Sequence, residues 1–262
     1  MIRVDLAHGC SGSRVAYLRE PRGVDELSVD PGHPSAATQL IARLLVARSG
    51  EDSVPEPTAR ELSMHDRDLV LAALYRHLYG DQIESVVRCR GCGTLVEASF
   101  SLAALIAHRV PDYSAGRPDG AGGFVTTTGL SFRLPTVGDR EDAAALPPAD
   151  ALGQLVKRCL GRDGTAQEIS ELQDRLDEVA PLLDLDVAVT CPHCSRRDDI
   201  RFSIGRFTIE AMARESRLLP LEIHRLAVAY GWPFDQIAGL DRSLRRSLLR
   251  CVEAERGARR RS

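Results

Sequence analysis

The residues best suited to chemistry in this sequence are four cysteines arranged as two Cys-x-x-Cys pairs, Cys89 with Cys92 and Cys191 with Cys194. Each pair lies between a run of β-branched residues and a stretch that alternates apolar and polar side chains. This pattern is typical of a zinc knuckle at the tip of a β-hairpin. Zn²⁺ prefers four soft ligands in a tetrahedron, and two knuckles supply four thiolates. The spacing therefore predicts one structural Zn²⁺ shared by the two hairpins.

A zinc ion held by four thiolates has no open position for water, so the predicted site stabilises a fold and performs no reaction. The sequence contains no glycine-rich phosphate loop, no Gly-x-Ser-x-Gly elbow and no His-Glu-x-x-His motif. His65 and Asp66 form a dipeptide found in some metal-dependent phosphohydrolases, but Ser63 before them predicts the capped start of a helix instead. We therefore expect a protein that is not an enzyme.

A thiol–disulfide oxidoreductase is a less favoured alternative. The tetrapeptide Cys191-Pro192-His193-Cys194 is identical to the active-site sequence of bacterial disulfide-forming oxidases of the thioredoxin fold. In those enzymes the first cysteine begins a helix, which lowers its pKa. Here the following residues alternate like a strand, and the first Cys-x-x-Cys pair would have no role. His193 lies inside the turn, where a side chain usually points away from the metal.

Composition describes an ordinary globular chain. The 262 residues carry a net charge of −3, and no apolar run approaches the ~20 residues that span a bilayer. The first residues lack the long apolar core of a signal peptide, so we expect a cytoplasmic protein with no membrane contact. In a reducing compartment, paired cysteines favour metal over disulfide.

The periodicity predicts an α+β fold that is mainly helical. Two zinc-knuckle hairpins pack together in it as a zinc-ribbon-like unit, and a C-terminal helical module follows. Each half of the chain has the order helix, knuckle hairpin, helix. The predicted divisions are a weakly patterned region at 1–58, a helix and the first hairpin at 59–110, a linker at 111–123, strands, helices and the second hairpin at 124–207, and the C-terminal helices with a basic tail at 208–262.

Three stretches carry a resemblance to a known family. They are Leu-Ser-Met-His-Asp-Arg-Asp-Leu at 62–69, Phe-Arg-Leu-Pro-Thr-Val-Gly-Asp at 132–139, and the helix with a Tyr-Gly-Trp-Pro turn at 222–233. The first two precede the two Cys-x-x-Cys hairpins, and the third precedes an arginine-rich helix. In this order they resemble baseplate hub and tail-assembly chaperone-like proteins of contractile-tailed (T-even-type) phages and of bacterial contractile injection systems.

The resemblance implies a non-enzymatic assembly factor or a minor baseplate component. Its partners would be baseplate, hub, spike or wedge proteins. We expect the partner to bind at the C-terminal region, where aromatic residues at a turn lie beside arginines, residue types favoured at interfaces. The predicted contact residues are Trp232, Phe234, Arg242, Arg245 and Arg246. The alternative for Trp232 is that it fills a core.

A zinc-ribbon nucleic-acid-binding or regulatory protein is the alternative from another class. In it the arginine-rich C-terminal tail would contact phosphates. Against this, the chain is slightly acidic, and the acidic residues Glu84, Glu97, Asp198 and Asp199 flank the knuckles. We therefore expect nucleic acid not to be the partner.

Overall fold

The computed structural model describes residues 1–47, 58–114, 116–120 and 122–259, with the backbone alone at residue 259. Over these ranges the chain is a mixed α+β protein, 48% helical and 23% strand, which confirms a mainly helical fold with small hairpins. Its strands are β1 (Ile2–Cys10), β2 (Ser13–Leu18), β3 (Gln82–Arg88), β4 (Leu95–Ser101), β5 (Gly116–Pro118), β6 (Phe124–Thr126), β7 (Ser131–Phe132), β8 (Asp184–Thr190) and β9 (Arg197–Ser203). Its helices are α1 (Gly23–Leu27), α2 (Ala36–Leu44), α3 (Met64–Tyr79), α4 (Leu102–His108), α5 (Val137–Ala144), α6 (Pro148–Leu160), α7 (Ala166–Val179), α8 (Ile204–Ser216), α9 (Leu219–Tyr230), α10 (Phe234–Ala238) and α11 (Arg242–Arg259).

The strands pair only with near neighbours in the chain, always antiparallel. β1 pairs with β2, β3 with β4 and β8 with β9, while β5, β6 and β7 form a three-stranded meander. A two-stranded hairpin is marginally stable alone, so each must bury a face against other elements. The two hairpins with the cysteines meet at the edge-to-face contact of Phe100 and Phe202, whose ring centroids are 5.1 Å apart.

The N-terminal hairpin is not predicted by the sequence pattern, because the alternation of β1 is interrupted. A bulge between the two ends of β1 breaks its two-residue period. The turn at Ser11 and Gly12 has φ values of 50° and 79°, the left-handed values that a type I′ turn requires. Residues 1–47 therefore contain a hairpin and two helices where the sequence shows weak patterning. The residues of 49–57, rich in Pro, Ser and acidic side chains, predict a linker, and this stretch lies outside the described residues.

Helix α3 runs through the main core, and its first turn is capped as predicted. The backbone N–H of Asp66 donates to Ser63 Oγ at 3.0 Å. The buried Asp66 carboxylate accepts hydrogen bonds from the backbone N–H groups of residues 7–9 in the β1 bulge. His65 Nδ1 lies 2.6 Å from the Pro181 carbonyl oxygen. Both side chains therefore connect parts of the fold, and neither belongs to a candidate metal cluster in the described part of the chain.

Within the described ranges, the buried apolar side chains form one main core and three smaller clusters. The main core joins the N-terminal hairpin, α2, α3, the bases of the two cysteine hairpins and α8. A second cluster lies between β6, β7, α6 and α7, a third holds α9, α10 and α11 together, and a fourth surrounds the cysteines. The main core thus takes residues from both sides of the segment 111–123, which was predicted to be a linker and contains β5.

Helix ends follow the sequence signals more closely than helix starts do. α6 and α9 end at Gly161 and Gly231, whose φ values of 72° and 69° are left-handed, as predicted. The apolar spacing in the sequence predicts a helix from about Ser170, but α7 begins earlier, at Ala166, behind a capping box of Thr165 and Glu168. Among the described helices, none is both long and apolar enough to cross a membrane.

Candidate metal centre

The two Cys-x-x-Cys turns have the same backbone geometry. In each, the carbonyl of the first cysteine accepts a hydrogen bond from the N–H four residues later: Gly93 to Cys89 at 3.0 Å and Ser195 to Cys191 at 2.9 Å. Gly93 and Ser195 both have left-handed backbones, with φ values of 75° and 57°. This tight turn leaves both thiols of a pair on the same side of the hairpin tip. The equivalence of Ser195 with Gly93 is not visible in the sequence, since serine rarely adopts a positive φ.

The structure brings the four predicted ligands together. Cys89 Sγ lies 3.6 Å from Cys194 Sγ, and Cys92 Sγ lies 3.7 Å from Cys191 Sγ. All four sulfur atoms are within 4.8 Å of one another. Four thiolates bound at about 2.3 Å to one tetrahedral metal ion have sulfur atoms about 3.8 Å apart. A disulfide needs about 2.05 Å between sulfur atoms, and all the cysteines are free. The sulfur spacing is therefore compatible with a metal site and not with disulfide bonds.

The cluster has an inner and an outer half. The first cysteines of the pairs, Cys89 and Cys191, are buried, whereas Cys92 and Cys194 are exposed. Below the inner pair, apolar side chains of the hairpins exclude water from one side of the sulfur atoms. They are Val87, Val96 and Val189. A bound ion would thus have apolar side chains on its inner side and the two exposed thiols on its outer side.

Gly91 and Asp198 join the two turns, and sequence reasoning missed both. A Cβ at Gly91 would lie 2.9 Å from Cδ of the flexible Arg196 side chain and 3.4 Å from Cys194 Sγ, so the two turns approach each other closely at this glycine. Asp198 Oδ1 accepts from Arg196 Nε at 3.0 Å, and Asp198 Oδ2 lies 3.3 Å from the donating N–H of Arg90 in the other turn. Its hydrogen bond with Arg196 lowers the pKa of Asp198. The Asp198 carboxylate, which the sequence analysis counted against a nucleic-acid partner, therefore bridges the two hairpins.

Hydrogen bonds and crowding shift the pKa values of the thiols. The backbone N–H of Cys92 and its neighbour in the turn lower the pKa of Cys89. Hydrogen bonds with the side chain and backbone of Thr94 lower the pKa of Cys92 to about 6. The N–H of Arg196 lowers the pKa of Cys194, but the neighbouring thiols, Cys89 first, outweigh it and raise the pKa to about 12. A cation among the four sulfur atoms removes this competition, because it stabilises every thiolate at once.

The structure does not supply the helix that the oxidoreductase alternative needs. Cys191 follows β8 and opens a turn, and β9 begins after Cys194. A helix N-terminus, the feature that activates the thiolate of such oxidases, is therefore not present at Cys191. His193 is exposed in the turn and is not part of the cysteine cluster in the described residues.

Arg242 and Arg245, predicted to contact a partner, are buried inside the chain, with side chains 3% and 1% exposed. Arg245 donates from Nη2 to Glu26 at 2.8 Å and from Nε to Glu222 at 3.0 Å. Arg242 pairs with Glu215 and lies 3.7 Å from Glu26. The prediction is corrected for these two arginines. Burying a guanidinium is costly unless carboxylates surround it, and α1, α8 and α9 supply them.

The other predicted contact residues remain accessible. Phe234 is 54% exposed. Trp232 is half-buried and stacks on Tyr230, with ring centroids 5.0 Å apart. Arg246 is partly exposed and pairs with Glu215 at 2.9 Å. Trp232 also packs against the apolar cluster of α9, α10 and α11, so part of its side chain fills a core, the alternative that the sequence left open.

A cavity of 480 Å³ beside the β1 bulge contains residues that the sequence did not single out. His8 projects there from the bulge with Tyr113 and Phe124 around it, at ring-centroid distances of 6.2 and 5.9 Å. Burial and the neighbouring His65 lower the pKa of His8 to about 4. Its buried Nε2 atom has no hydrogen-bond partner among the described residues. The sequence signal was weak, because a single histidine in a glycine-rich stretch is usually structural.

No protein-family model, curated protein or solved structure matches this chain. The resemblance to contractile-particle proteins therefore stays an expectation. Function is accordingly inferred from the contacts and chemistry of the chain's own residues.

Proposed function

We propose that Cys89, Cys92, Cys191 and Cys194 bind one structural Zn²⁺. The support is the sulfur spacing, which fits a tetrahedral ion, and the ligand set, since four thiolates favour zinc over hard cations. The N–H of Gly91, 3.3 Å from Cys89 Sγ, would share the charge of one thiolate. Four protein ligands leave no position for a reacting water. The ion would connect two hairpins that the chain separates by about a hundred residues.

Metal analysis of the purified chain tests the zinc proposal. We expect one zinc per chain, released by a chelator together with the appearance of four reactive thiols. Replacement by Co²⁺ should produce the absorption of tetrahedral thiolate coordination. A chain that folds and holds no metal, or one with a different metal in an open coordination sphere, would contradict a structural zinc.

We propose further that the protein is a non-enzymatic assembly factor or minor baseplate component of a phage-tail-like contractile injection particle. The observation that carries a binding role is a set of exposed apolar side chains of the C-terminal helices, here called the C-terminal apolar face: Leu218, Leu221, Val228 and Phe234. Leu221 and Val228 are seven residues apart, so they lie on one side of α9. Apolar side chains grouped in this way mark interaction surfaces more often than scattered ones do.

The aromatic pair next to this face adds to its suitability for a protein partner. Tyr230 and Trp232 stack at the turn after α9, and Phe234 follows at the start of α10. Aromatic anchors contribute much of the binding energy at protein interfaces. Baseplate, hub, spike or wedge proteins are the partners that we propose. Arg242 and Arg245 have no part in this surface, because their charges are bound by carboxylates.

Affinity purification from the host that produces the particle tests this role. The wild-type chain, a Val228→Ser/Phe234→Ser variant and the control Val110→Ser would be compared after cross-linking. Val110 is as exposed as Val228, at 65% and 63%, but lies elsewhere. We expect tube, hub, spike or wedge proteins with the wild type and the control, and a loss with the double variant.

Nucleic acid or a polymerase in the eluate would contradict the assembly role and favour a zinc-ribbon regulator. For that alternative, binding should weaken steeply with salt, because phosphate neutralisation releases counterions. The ion pairs of Arg242 and Arg245 count against it, since a guanidinium held by buried carboxylates is not free to contact phosphate.

A further inference from the structure

A second site lies at the other end of β9, away from the cysteines. Here a cavity of 210 Å³ opens between α2, α3, α5 and α8. Three arginines line it, one from each of three helices: Arg67 of α3, Arg140 of α5 and Arg206 of α8. The carboxylate of Glu210 also lines the cavity and pairs with Arg206 at 2.7 Å. The charge of Arg206 is therefore balanced within the lining of the cavity.

Two helix N-termini point their first turns at the same cavity. α8 starts at Ile204 and α2 at Ala36, and neither N-cap serine makes a side-chain capping hydrogen bond. A Cβ placed on Gly205 would lie 3.8 Å from Ala37 Cβ, so the two first turns touch. The first N–H groups, of Ile204 and Ala36, donate to the carbonyls of Leu183 and His33, so the N–H groups that follow them and the helix dipoles supply the positive partial charge.

Arg67 is the buried cation of the site. Its side chain is 6% exposed, and its Nε and Nη2 atoms donate to Asp68 Oδ1 at 3.0 and 2.5 Å. Asp68 Oδ2 accepts in addition from the N–H of Leu183 at 2.9 Å. The Nη2 atom of Arg67 is 3.9 Å from the position of a Cβ on Gly205. The guanidinium is therefore locked in place at the start of α8.

Arg140 is the cation without a counter-ion. Among the described residues it forms no ion pair, and the nearest carboxylates act on it only through space. Arg140 is exposed at the mouth of the cavity, and desolvation, followed by repulsion from Arg67, lowers its pKa. The cavity thus gathers two guanidinium groups, one of them unpaired, and two uncapped helix N-termini.

We infer that this cavity binds a tetrahedral oxyanion, a phosphate group that is either free or the terminal monoester of a ligand. Arginines present planar donors that suit phosphate oxygens, and helix N-termini supply N–H donors to the same kind of anion. The volume favours a single phosphoryl group, because pockets that enclose whole drug-sized ligands span about 300–1,000 Å³. The site is independent of the proposed metal and of the C-terminal apolar face.

Calorimetric titration of the full, metal-loaded chain with inorganic phosphate, replacing chloride at constant ionic strength, tests the inference. We expect saturable binding and a higher melting temperature with phosphate. Arg140→Gln should weaken binding by about tenfold or more, the effect of removing a hydrogen bond to a charged group. Arg250→Gln, an exposed arginine on α11 with the same change of charge, should bind like the wild type.

A second variant keeps the test informative if Arg140→Gln folds poorly. Gly205→Asp puts a carboxylate at the start of α8, where a Cβ meets only ordinary contacts of 3.6 Å or more. It should raise the melting temperature without phosphate and remove the response to phosphate. Glycerol 2-phosphate then separates the two sources of the anion: binding of both probes indicates a monoester site, and binding of inorganic phosphate alone indicates a site for the free ion. Equal, non-saturable responses in the wild type and in both variants would overturn the inference.

Discussion

The sulfur atoms of Cys89 and Cys194 lie 3.6 Å apart, although 105 residues separate them in the chain. The first cysteine of one turn thus faces the second cysteine of the other, and the same crossed relation holds for Cys92 and Cys191. Two like turns related in this way present four sulfur atoms around one centre. A metal ion at this centre would need the two hairpins to be docked, and its bonds to the four thiolates would in turn stabilise the docking.

Removing one ligand should therefore affect both metal content and stability. For Cys191→Ser we expect the zinc content to fall well below one per chain. The free energy of unfolding should fall by about 4 kcal/mol or more, as for other losses of a bound metal. Cys251→Ser, at an exposed cysteine outside the cluster, should change neither. Metal analysis and urea denaturation measure the two effects, and equal zinc in both variants would contradict the shared site.

The backbone of the first turn should favour glycine at position 93. Gly93 has a φ of 75°, so Gly93→Ala should destabilise the chain by about 1–2 kcal/mol, the cost of a left-handed L-residue. Gly153, in the middle of α6 with open space around it, is the matched control. There alanine should stabilise by about 0.5–1 kcal/mol, because it lowers the entropy loss of helix formation. Urea denaturation should show that the free energy of unfolding falls in Gly93→Ala and rises in Gly153→Ala. A change of the same sign in both variants would count against the left-handed turn at Gly93.

The buried ion pairs should be sensitive to removal of one carboxylate. Glu26, 2% exposed, lies between Arg242 and Arg245. In Glu26→Ala the two guanidinium groups lose a shared buried partner, so we expect a loss of roughly 3–5 kcal/mol in the free energy of unfolding. Asp5→Ala, which breaks an exposed pair with Arg3, should cost less than about 1 kcal/mol. Comparable losses in the two variants would show that the buried ion pairs contribute no more to the free energy of unfolding than an exposed pair does.

Acid should destabilise the chain through His8. Burial and His65 lower the folded-state pKa of His8 to about 4, below its ordinary value of 6.5. Between pH 6.5 and 4 this histidine is protonated in the unfolded chain but neutral in the folded chain. The free energy of unfolding therefore falls as the pH drops through this range, by about 3 kcal/mol at most.

Comparing histidine variants separates the contribution of His8 to the pH dependence from that of the cysteines. His8→Gln should lose less stability than the wild type between pH 6.5 and 4, whereas His108→Gln, at an exposed histidine, should follow the wild type. Urea denaturation at several pH values measures the profiles. Parallel profiles for wild type and His8→Gln would mean that the histidine titrates normally.

Much of the fold and of the metal centre was predictable because the signals are local. The Cys-x-x-Cys spacing reports a turn of a few residues, and Gly161 and Gly231 end helices at the positions that a left-handed glycine indicates. The cap of α3 by Ser63 depends on residues one turn apart. Such features need no information from distant parts of the chain. The β1 bulge is local too, but it erases the period that would have predicted a strand.

The types and spacing of residues by themselves determined the four clustered cysteines, the hairpins that present them and the ends of α6 and α9. Only the tertiary structure decided that Arg245 is buried, that Asp198 bridges two turns, and that Arg140 faces a cavity without a counter-ion. The physical reason is that the identity of a charged residue does not reveal whether its side chain is surrounded by water or by a carboxylate. Its partners come from elements far along the chain, and their distances are set by the packing of the apolar core.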